Sequence, residues 1–188
     1  MLAETDIELR TQRLVLRPMQ PSDAEPLFAL FADWDVIRRL SAPPWPYTIA
    51  DAHDFLGSLG HDLTQRTFAI ALDQALIGGI DVRMNHPSRS QSGDGPNLGY
   101  WLGRPYWGRG YMTEAAREFL AHVFAAGIGD TVYSGGFADN AASLRVQEKL
   151  GFVRDGEIKL YSRPRGSAFL HVNTRLERDQ FDRTRSDN

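Results

Sequence analysis

From Met112 onward the apolar positions are Met112, Ala115, Ala116, Phe119, Leu120, Val123, Phe124 and Gly127, while Glu114, Arg117, Glu118 and His122 fall off that stripe. Apolar residues three and four apart line one side of a 3.6-residue helix. The spacing therefore predicts a helix, closed by Gly127 and Gly129. Ahead of it, Leu98 to Leu102 is a short apolar and aromatic run between Pro96 and Gly103-Arg104-Pro105, the pattern of a strand.

The same reading extends along the chain. Arg13 to Pro18 alternates charged and apolar residues and predicts a first strand ended by Pro18. Pro21 to Glu25 opens a helix with Ser22 or Asp23 as cap and Leu27, Phe28, Leu30 and Phe31 as its buried side. A second short helix is expected over Asp35 to Leu40. Thr48 caps a third, from Ile49 to about Leu63. Thr67 to Leu72 and Ala75 to Arg83 read as an antiparallel hairpin turning at Asp73-Gln74, with Gly78-Gly79 marking a bulge or close packing. Asn85 to Pro96 is polar and reads as a mobile loop. Thr131 to Phe137 predicts another strand. Asn140 then N-caps a helix that Gly151 closes. Phe152 to Tyr161 and Ala168 to Leu176 form a last hairpin around Arg163-Pro164-Arg165-Gly166. Residues 179–188 are charged, the pattern of a frayed tail.

Chemistry enters between the central strand and its helix, at Trp107-Gly108-Arg109-Gly110-Tyr111. A glycine-rich turn feeding a helix N-terminus gathers unpaired main-chain N–H groups and the positive end of the helix dipole, and so suits a phosphate or pyrophosphate. There is no Walker lysine-serine pair and no full dinucleotide fingerprint. By themselves these residues fit an anion site and a tight steric turn equally well.

Composition narrows the field. The 188 residues suit one domain, and 42% hydrophobic with 24% charged residues is ordinary for a globular protein. A net charge of -3 gives no basis for binding nucleic acid by phosphate neutralisation. No apolar run approaches the roughly 20 residues of a membrane span. The acidic start, Met1 to Asp6, lacks a signal-peptide pattern, so a cytoplasmic location is the default expectation. With no cysteine, disulfides, thiolate-metal sites and a cysteine acyl-enzyme are excluded, and no metal is expected.

Trp107 to Met112 resembles the acyl-CoA pyrophosphate loop of the GNAT superfamily of N-acetyltransferases, Gln/Arg-x-x-Gly-x-Gly/Ala. Gly110 is kept, while Trp107 and Met112 depart from the first and last positions. Asn140-x-x-Ser143 followed by Glu148-Lys149-x-Gly151-Phe152 resembles a second signature, that of the branch containing the ribosomal-protein N-terminal acetyltransferases. Thr11-Gln-Arg-Leu-Val-Leu-Arg-Pro18, followed by Asp23-Ala-Glu-Pro-Leu-Phe28, resembles that branch's opening. The likeness covers roughly Leu9 to Leu176.

The resemblance implies an α/β (α+β) fold: a single domain over residues 1–178, with a seven-stranded, mixed, mostly antiparallel sheet splayed at its central strands and flanked by helices. It implies acetyl-CoA as cofactor. Main-chain groups around Tyr100, Trp101 and Leu102 would pair with the pantetheine amides, and Trp107, Gly108, Arg109, Gly110, Tyr111, Met112 and Thr113 would surround the pyrophosphate. Asn140 would contact the cofactor, and Ser143 would protonate the departing thiolate. Read without the family, Asn140 merely caps and Ser143 fills a helical turn. Arg104, Arg109, Arg145 and Lys149 are candidates for the outer phosphate. The glutamate that many relatives carry before the central strand is Asn97 here, which cannot take a proton. Asp81, His171 and ordered water remain candidates for deprotonating the acceptor amine. Trp45 and Tyr47, on a proline-stiffened loop, either wall the acceptor groove or cover the core.

The activity implied is direct transfer of acetyl from the thioester to a primary amine. A protein N-terminal α-amine, as on a ribosomal protein, is the first expectation. A polyamine, amino acid or aminoglycoside is the alternative, and a non-catalytic acyl-CoA-binding module is the rival from another class. Monomer and homodimer are both compatible.

Overall fold

The computed structural model describes residues 7–59, 67–84 and 95–186. Eight strands form one sheet in the order β1-β2-β3-β4-β5-β6-β8-β7. They are β1 (Leu9–Arg10), β2 (Val15–Pro18), β3 (Thr67–Leu72), β4 (Ala75–Arg83), β5 (Asn97–Leu102), β6 (Thr131–Phe137), β7 (Val153–Ser162) and β8 (Ser167–Glu177). One strand more than expected arises at the edge. Leu9 and Arg10 pair with Leu16 and Val15 across a turn in which Leu14 N–H donates to Thr11 Oγ1 at 2.9 Å.

Helices cover both faces. On one face lie α1 (Ala24–Phe31), α2 (Trp34–Ile37) and α3 (Ile49–Gly57). Asp23 stands at the start of α1, where its carboxylate is gripped by Arg17 at 2.7 and 2.8 Å and by Gln20 N–H at 2.8 Å. Helix α3 ends at Gly57, short of the expected Leu63, and residues 60–66 lie outside the described residues. The expected loop falls mostly at 85–94, also outside them. Two glycines of β4 allow close packing. A Cβ at Gly78 would meet the Trp101 carbonyl, and one at Gly79 would lie 2.7 Å from Trp101 Nε1.

The other face carries α4 (Tyr111–Ala125) and α5 (Ala141–Lys149). The predicted stripe of α4 is buried from Met112 to Phe124, and Phe119 meets Phe68 edge-on at 5.4 Å. Each such fully buried side chain contributes roughly 1.5–3 kcal/mol. Gly127 leaves the helix with a φ of 67°, which is the left-handed close that favours glycine.

The expected frayed tail is instead helix α6 (Arg178–Ser186). Phe181, 2% exposed, packs on Phe124 at 5.3 Å. Arg178 Nε donates to Asp130 Oδ1 at 3.0 Å. One anchoring aromatic in a charged segment gives no periodicity to read, so this helix is stabilised by tertiary packing.

The feature that matters for function lies at mid-sheet. Strands β5 and β6 are parallel and registered only at Asn97↔Tyr133. Tyr133 N–H donates to the Pro96 carbonyl at 2.8 Å, and Ser134 Oγ donates to the Leu98 carbonyl at 3.0 Å. Beyond these bonds the strands part, and Gly99 to Leu102 and Gly135 to Phe137 face each other across a cleft.

Candidate active site

Gly103 N–H pairs with the Ile77 carbonyl at 2.9 Å. Antiparallel pairing alternates, so Trp101 and Gly99 direct their main-chain groups at β4. Leu98, Tyr100 and Leu102 therefore turn theirs toward β6. The cleft at this opening holds about 420 Å³. Its walls come from β5, β6, the loop into α4, the start of α5, the end of α2 with Arg39, Leu40 and Ser41, and His171 on β8.

The loop Trp107 to Gly110 carries two glycines in the left-handed region. Gly108 and Gly110 sit at φ 73° and 80°, a region that L side chains rarely adopt. Gly110 is the N-cap of α4 and supplies no side-chain hydrogen bond. The first amides of a 15-residue helix are thus left without a side-chain cap, facing the cleft that Gly110, Tyr111, Met112 and Thr113 line. A second, more open cleft of about 510 Å³ shares Gly110, Thr113 and Lys149 with the first. Arg145 and Lys149 line the main cleft. Arg104 does not fit its expected phosphate role, because Asp33 at 2.8 Å and Asp35 at 3.4 Å already pair with it. Arg109 is exposed on the loop.

On the α4–α5 side, Ser143 belongs to a network. Tyr100 Oη lies 2.9 Å from Ser143 Oγ and donates to the Ser143 carbonyl at 3.0 Å. Gln147 Nε2 donates to Tyr100 Oη at 3.1 Å and to the Gly135 carbonyl at 2.9 Å, and Thr174 Oγ1 donates to Gln147 Oε1 at 2.7 Å. Burial pushes the Tyr100 phenol up to about 12, against the pull of the Ser143 and Gln147 hydrogen bonds. It therefore stays protonated and remains a donor. Asn140 caps α5, accepting from Ser143 N–H at 3.4 Å, and also accepts from Arg39 Nη1 at 2.9 Å. Arg39 lies over the Trp107 ring at 4.8 Å.

The opposite side of the sheet is different in character. Tyr133, Gly135 and Phe137 alternate along β6. Their registers to Asn97 on one side and His171 on the other put Asn97 and His171 on a common face. Both line the cleft. Among the described residues, Asn97 Nδ2 is buried without a hydrogen-bond partner. His171 Nδ1 lies 2.9 Å from Asn173 Oδ1. With that oxygen as acceptor the ring proton sits on Nδ1 and the lone pair on Nε2. Burial lowers the His171 pKa below its ordinary value, and the Asn173 bond opposes it. Gly135 makes room for the ring, since a Cβ there would overlap His171 Cε1.

Asp81 shares that face but not the cleft. It is buried, held by Arg83 Nε at 2.7 Å and Thr67 Oγ1 at 3.2 Å, and packed against Gly99, where a Cβ would lie 2.7 Å from its Oδ1. Burial raises its pKa, against Arg83 and Thr67. Tyr47 is buried edge-on to Phe31 at 5.0 Å, and burial, then Asp51, pushes it up to about 12. Trp45 is 40% exposed and packs on Trp34 at 5.2 Å. Neither lines the cleft. The cleft is instead bounded there by Val36, Leu40, Ser41, Phe137 and Leu160. The Ser41 carbonyl accepts from Arg163 N–H at 2.9 Å, which ties the end of α2 to the β7–β8 turn. Sequence reading missed Arg39, Gln147 and the Tyr100 hydroxyl. Gln147 sits within the second signature, but nothing in the pattern aims it at β6.

The family model described as an acetyltransferase (GNAT) domain matches residues 13–153. The Bacillus licheniformis N-acetyltransferase p20, itself uncharacterized, is 25% identical over 164 residues, covering 84% of this chain and 89% of its own. A ribosomal-protein α-N-acetyltransferase, solved in complex with coenzyme A, superposes with a TM-score of 0.77 at 18% identity, over 93% of this chain and 99% of that one. A microcin self-immunity acetyltransferase, solved with acetyl-CoA and AMP, superposes at 0.74 and 18% identity, over 88% and 93%. Among the described residues no helix is long and apolar enough to cross a membrane.

Proposed function

The chain belongs to the GNAT acetyltransferase family, and on that premise we propose that it moves acetyl from acetyl-CoA to a single primary amine on a neutral or anionic body, a protein N-terminal α-amine first. One observation carries the reading. The β5–β6 opening joins an uncapped helix N-terminus and Ser143 on one side of the sheet to a neutral histidine on the other.

The residues fit the cofactor. The α4 amides from Tyr111 to Thr113, with Gly108 and Gly110, would hold the pyrophosphate. Main-chain groups of Tyr100 and Leu102, turned into the gap, would hold the pantetheine arm and the thioester oxygen. Asn140, Arg145 and Lys149 complete that wall. Bound acetyl-CoA supplies the acetyl thioester that an amine attacks directly. His171 Nε2 takes the amine's proton. Ser143 Oγ gives a proton to the leaving sulfur, and Tyr100 supports it in doing so.

The acceptor class follows from charge. Among the described residues that line the cleft, the charged ones are Arg39, Arg145 and Lys149, and none is a carboxylate. A polyamine or aminoglycoside would bring further ammonium groups with no carboxylate among the described cleft residues to pair them. Asn97 Nδ2 is a buried donor beside the cleft with no partner among the described residues. A carbonyl beside the amine would satisfy it, as the first peptide group of a protein N-terminus does. Arg39 gives an amino acid the second place, because its side chain bonds a main-chain carbonyl and an amide oxygen rather than a carboxylate.

Titration calorimetry with acetyl-CoA and CoA tests the premise, and saturation near one per chain is the expected result. Peptides with free and blocked α-amines, spermidine and free amino acids then test the acceptor. Released CoA is read by a thiol reagent, against no background from a chain without cysteine. Faster turnover of spermidine than of any peptide would overturn the acceptor assignment. Ser143→Ala is expected to lower kcat about a hundredfold with acetyl-CoA affinity kept, and Tyr100→Phe to lower it less. Unchanged turnover in the serine variant would remove Ser143 from the proton path.

A further inference from the structure

The cofactor loop is held from behind by a residue outside the cleft. Glu114, in the first turns of α4, receives three hydrogen bonds and an ion-pair contact from the β1–β2 turn. Thr11 Oγ1 and Arg13 N–H donate to Oε1 at 2.6 and 2.9 Å. Arg13 Nε and Nη2 reach Oε2 at 2.7 and 2.6 Å. The fork then has one arm left, and Nη1 donates to the Arg109 carbonyl at 3.2 Å. The guanidinium lies over the Tyr111 ring at 4.5 Å. Its Nη2 is 3.5 Å from where a Cβ on Gly110 would stand.

The bond to Arg109 has a geometric consequence. In a planar trans peptide the C=O and the following N–H point in opposite directions. Drawing the Arg109 carbonyl outward to Arg13 turns the Gly110 N–H away from Arg13, to the side where Gly110 lines the cleft. Nothing within the loop does this, because left-handed glycines leave their peptides free to rotate. The Arg13 charge is met by Glu114, so its contribution here is orientation rather than field.

We propose that Arg13 is a positioning residue for the cofactor's pyrophosphate, fixing the loop's amides toward the anion before it arrives. This rests on the acetyl-CoA reading above. The competing account is that Arg13 and Glu114 only staple β2 to α4.

Two acyl donors separate the accounts: acetyl-CoA, and S-acetylpantetheine, which has the same thioester arm and no pyrophosphate. Arg13→Gln is expected to raise KM for acetyl-CoA about tenfold, the order of one hydrogen bond whose pairing with a charged ligand is lost. Its kcat at saturating acetyl-CoA and its KM for S-acetylpantetheine should stay near wild type, while its melting temperature falls with the lost Glu114 pairing. Arg13→Lys keeps a cation for Glu114 and an alkyl stem over Tyr111 but loses the fork. It should show the same split even if the glutamine variant folds poorly. Equal weakening toward both donors, or a lysine variant that matches wild type toward acetyl-CoA, would overturn the proposal. A wild-type protein that used S-acetylpantetheine no less well than acetyl-CoA would instead overturn the pyrophosphate-site reading beneath it, and the proposal with it.

Discussion

Gly110→Val is expected to lower affinity for acetyl-CoA by about two to three orders of magnitude in a protein that still folds. Space is not the reason. A Cβ at this position meets nothing nearer than Arg13 Nη2 at 3.5 Å. Conformation is, because Gly110 sits at a φ of 80°, where an L residue costs roughly 1–2 kcal/mol and a β-branched one more. The chain relieves that strain by rotating out of the left-handed region, which swings the amides at the start of α4 away from the cleft. Hydrogen bonds to a charged group are worth about 1.5–3 kcal/mol each, and each 1.4 kcal/mol is about tenfold in affinity. Losing two of them accounts for the predicted drop. Helix α4 survives, since its stability comes from the buried stripe Met112 to Phe124. Gly110→Ala should show the same direction with a smaller loss. Calorimetry with a parallel melting curve checks both, and wild-type affinity in a folded valine variant would remove the loop from the cofactor site.

His171→Gln is expected to lower kcat by about two to three orders of magnitude at neutral pH, with acetyl-CoA affinity unchanged. His171 is on the face of the sheet shared with Asn97, the proposed acceptor side, opposite the proposed cofactor side. It lines the cleft and is neutral at pH 7 because burial lowers its pKa. A base works unprotonated, so a lowered pKa extends the active range downward. The acid limb of kcat should therefore fall below pH 6.5, with a plateau through neutrality. Asn173→Asp places a carboxylate beside Nδ1 and favours the imidazolium. That variant's acid limb should move up toward neutral pH. A pH profile indifferent to both substitutions would take His171 out of the chemistry and leave proton removal to water.

These two variants probe opposite faces of one sheet. Gly110 and Ser143 belong to the α4–α5 side, and Asn97 and His171 to the other. They meet only because β5 and β6 stop pairing after Asn97↔Tyr133. Two hydrogen bonds at the root of the opening, from Tyr133 to Pro96 and from Ser134 to Leu98, fix where the strands part.

Local pattern was enough for much of this protein. The stripe of α4, the central strand, the two hairpins, the Asn140 cap and the Gly151 close were all legible, because each depends on neighbours within a few residues. The proposed cofactor loop was legible for the same reason: left-handed glycines at a helix N-terminus are a property of one contiguous stretch. The extra edge strand and the helix in place of the tail were not, because they depend on contacts beyond the local stretch: the pairing of Leu9 and Arg10 with Leu16 and Val15, Phe181 on Phe124 and Arg178 on Asp130. Trp45, Tyr47 and Asp81 were legible as residue types with the right chemistry, and none of the three lines the cleft. Asp81 is held by Arg83 and Thr67, and Tyr47 is packed on Phe31. By itself the sequence determined the family, a glycine-rich loop at a helix N-terminus and the shortlist of residues able to do acid–base work. Which of them meet was decided only by tertiary structure. Strand register assigns each side chain to a face, and the parting of β5 from β6 opens one face to the other, across residues that are far apart in the chain.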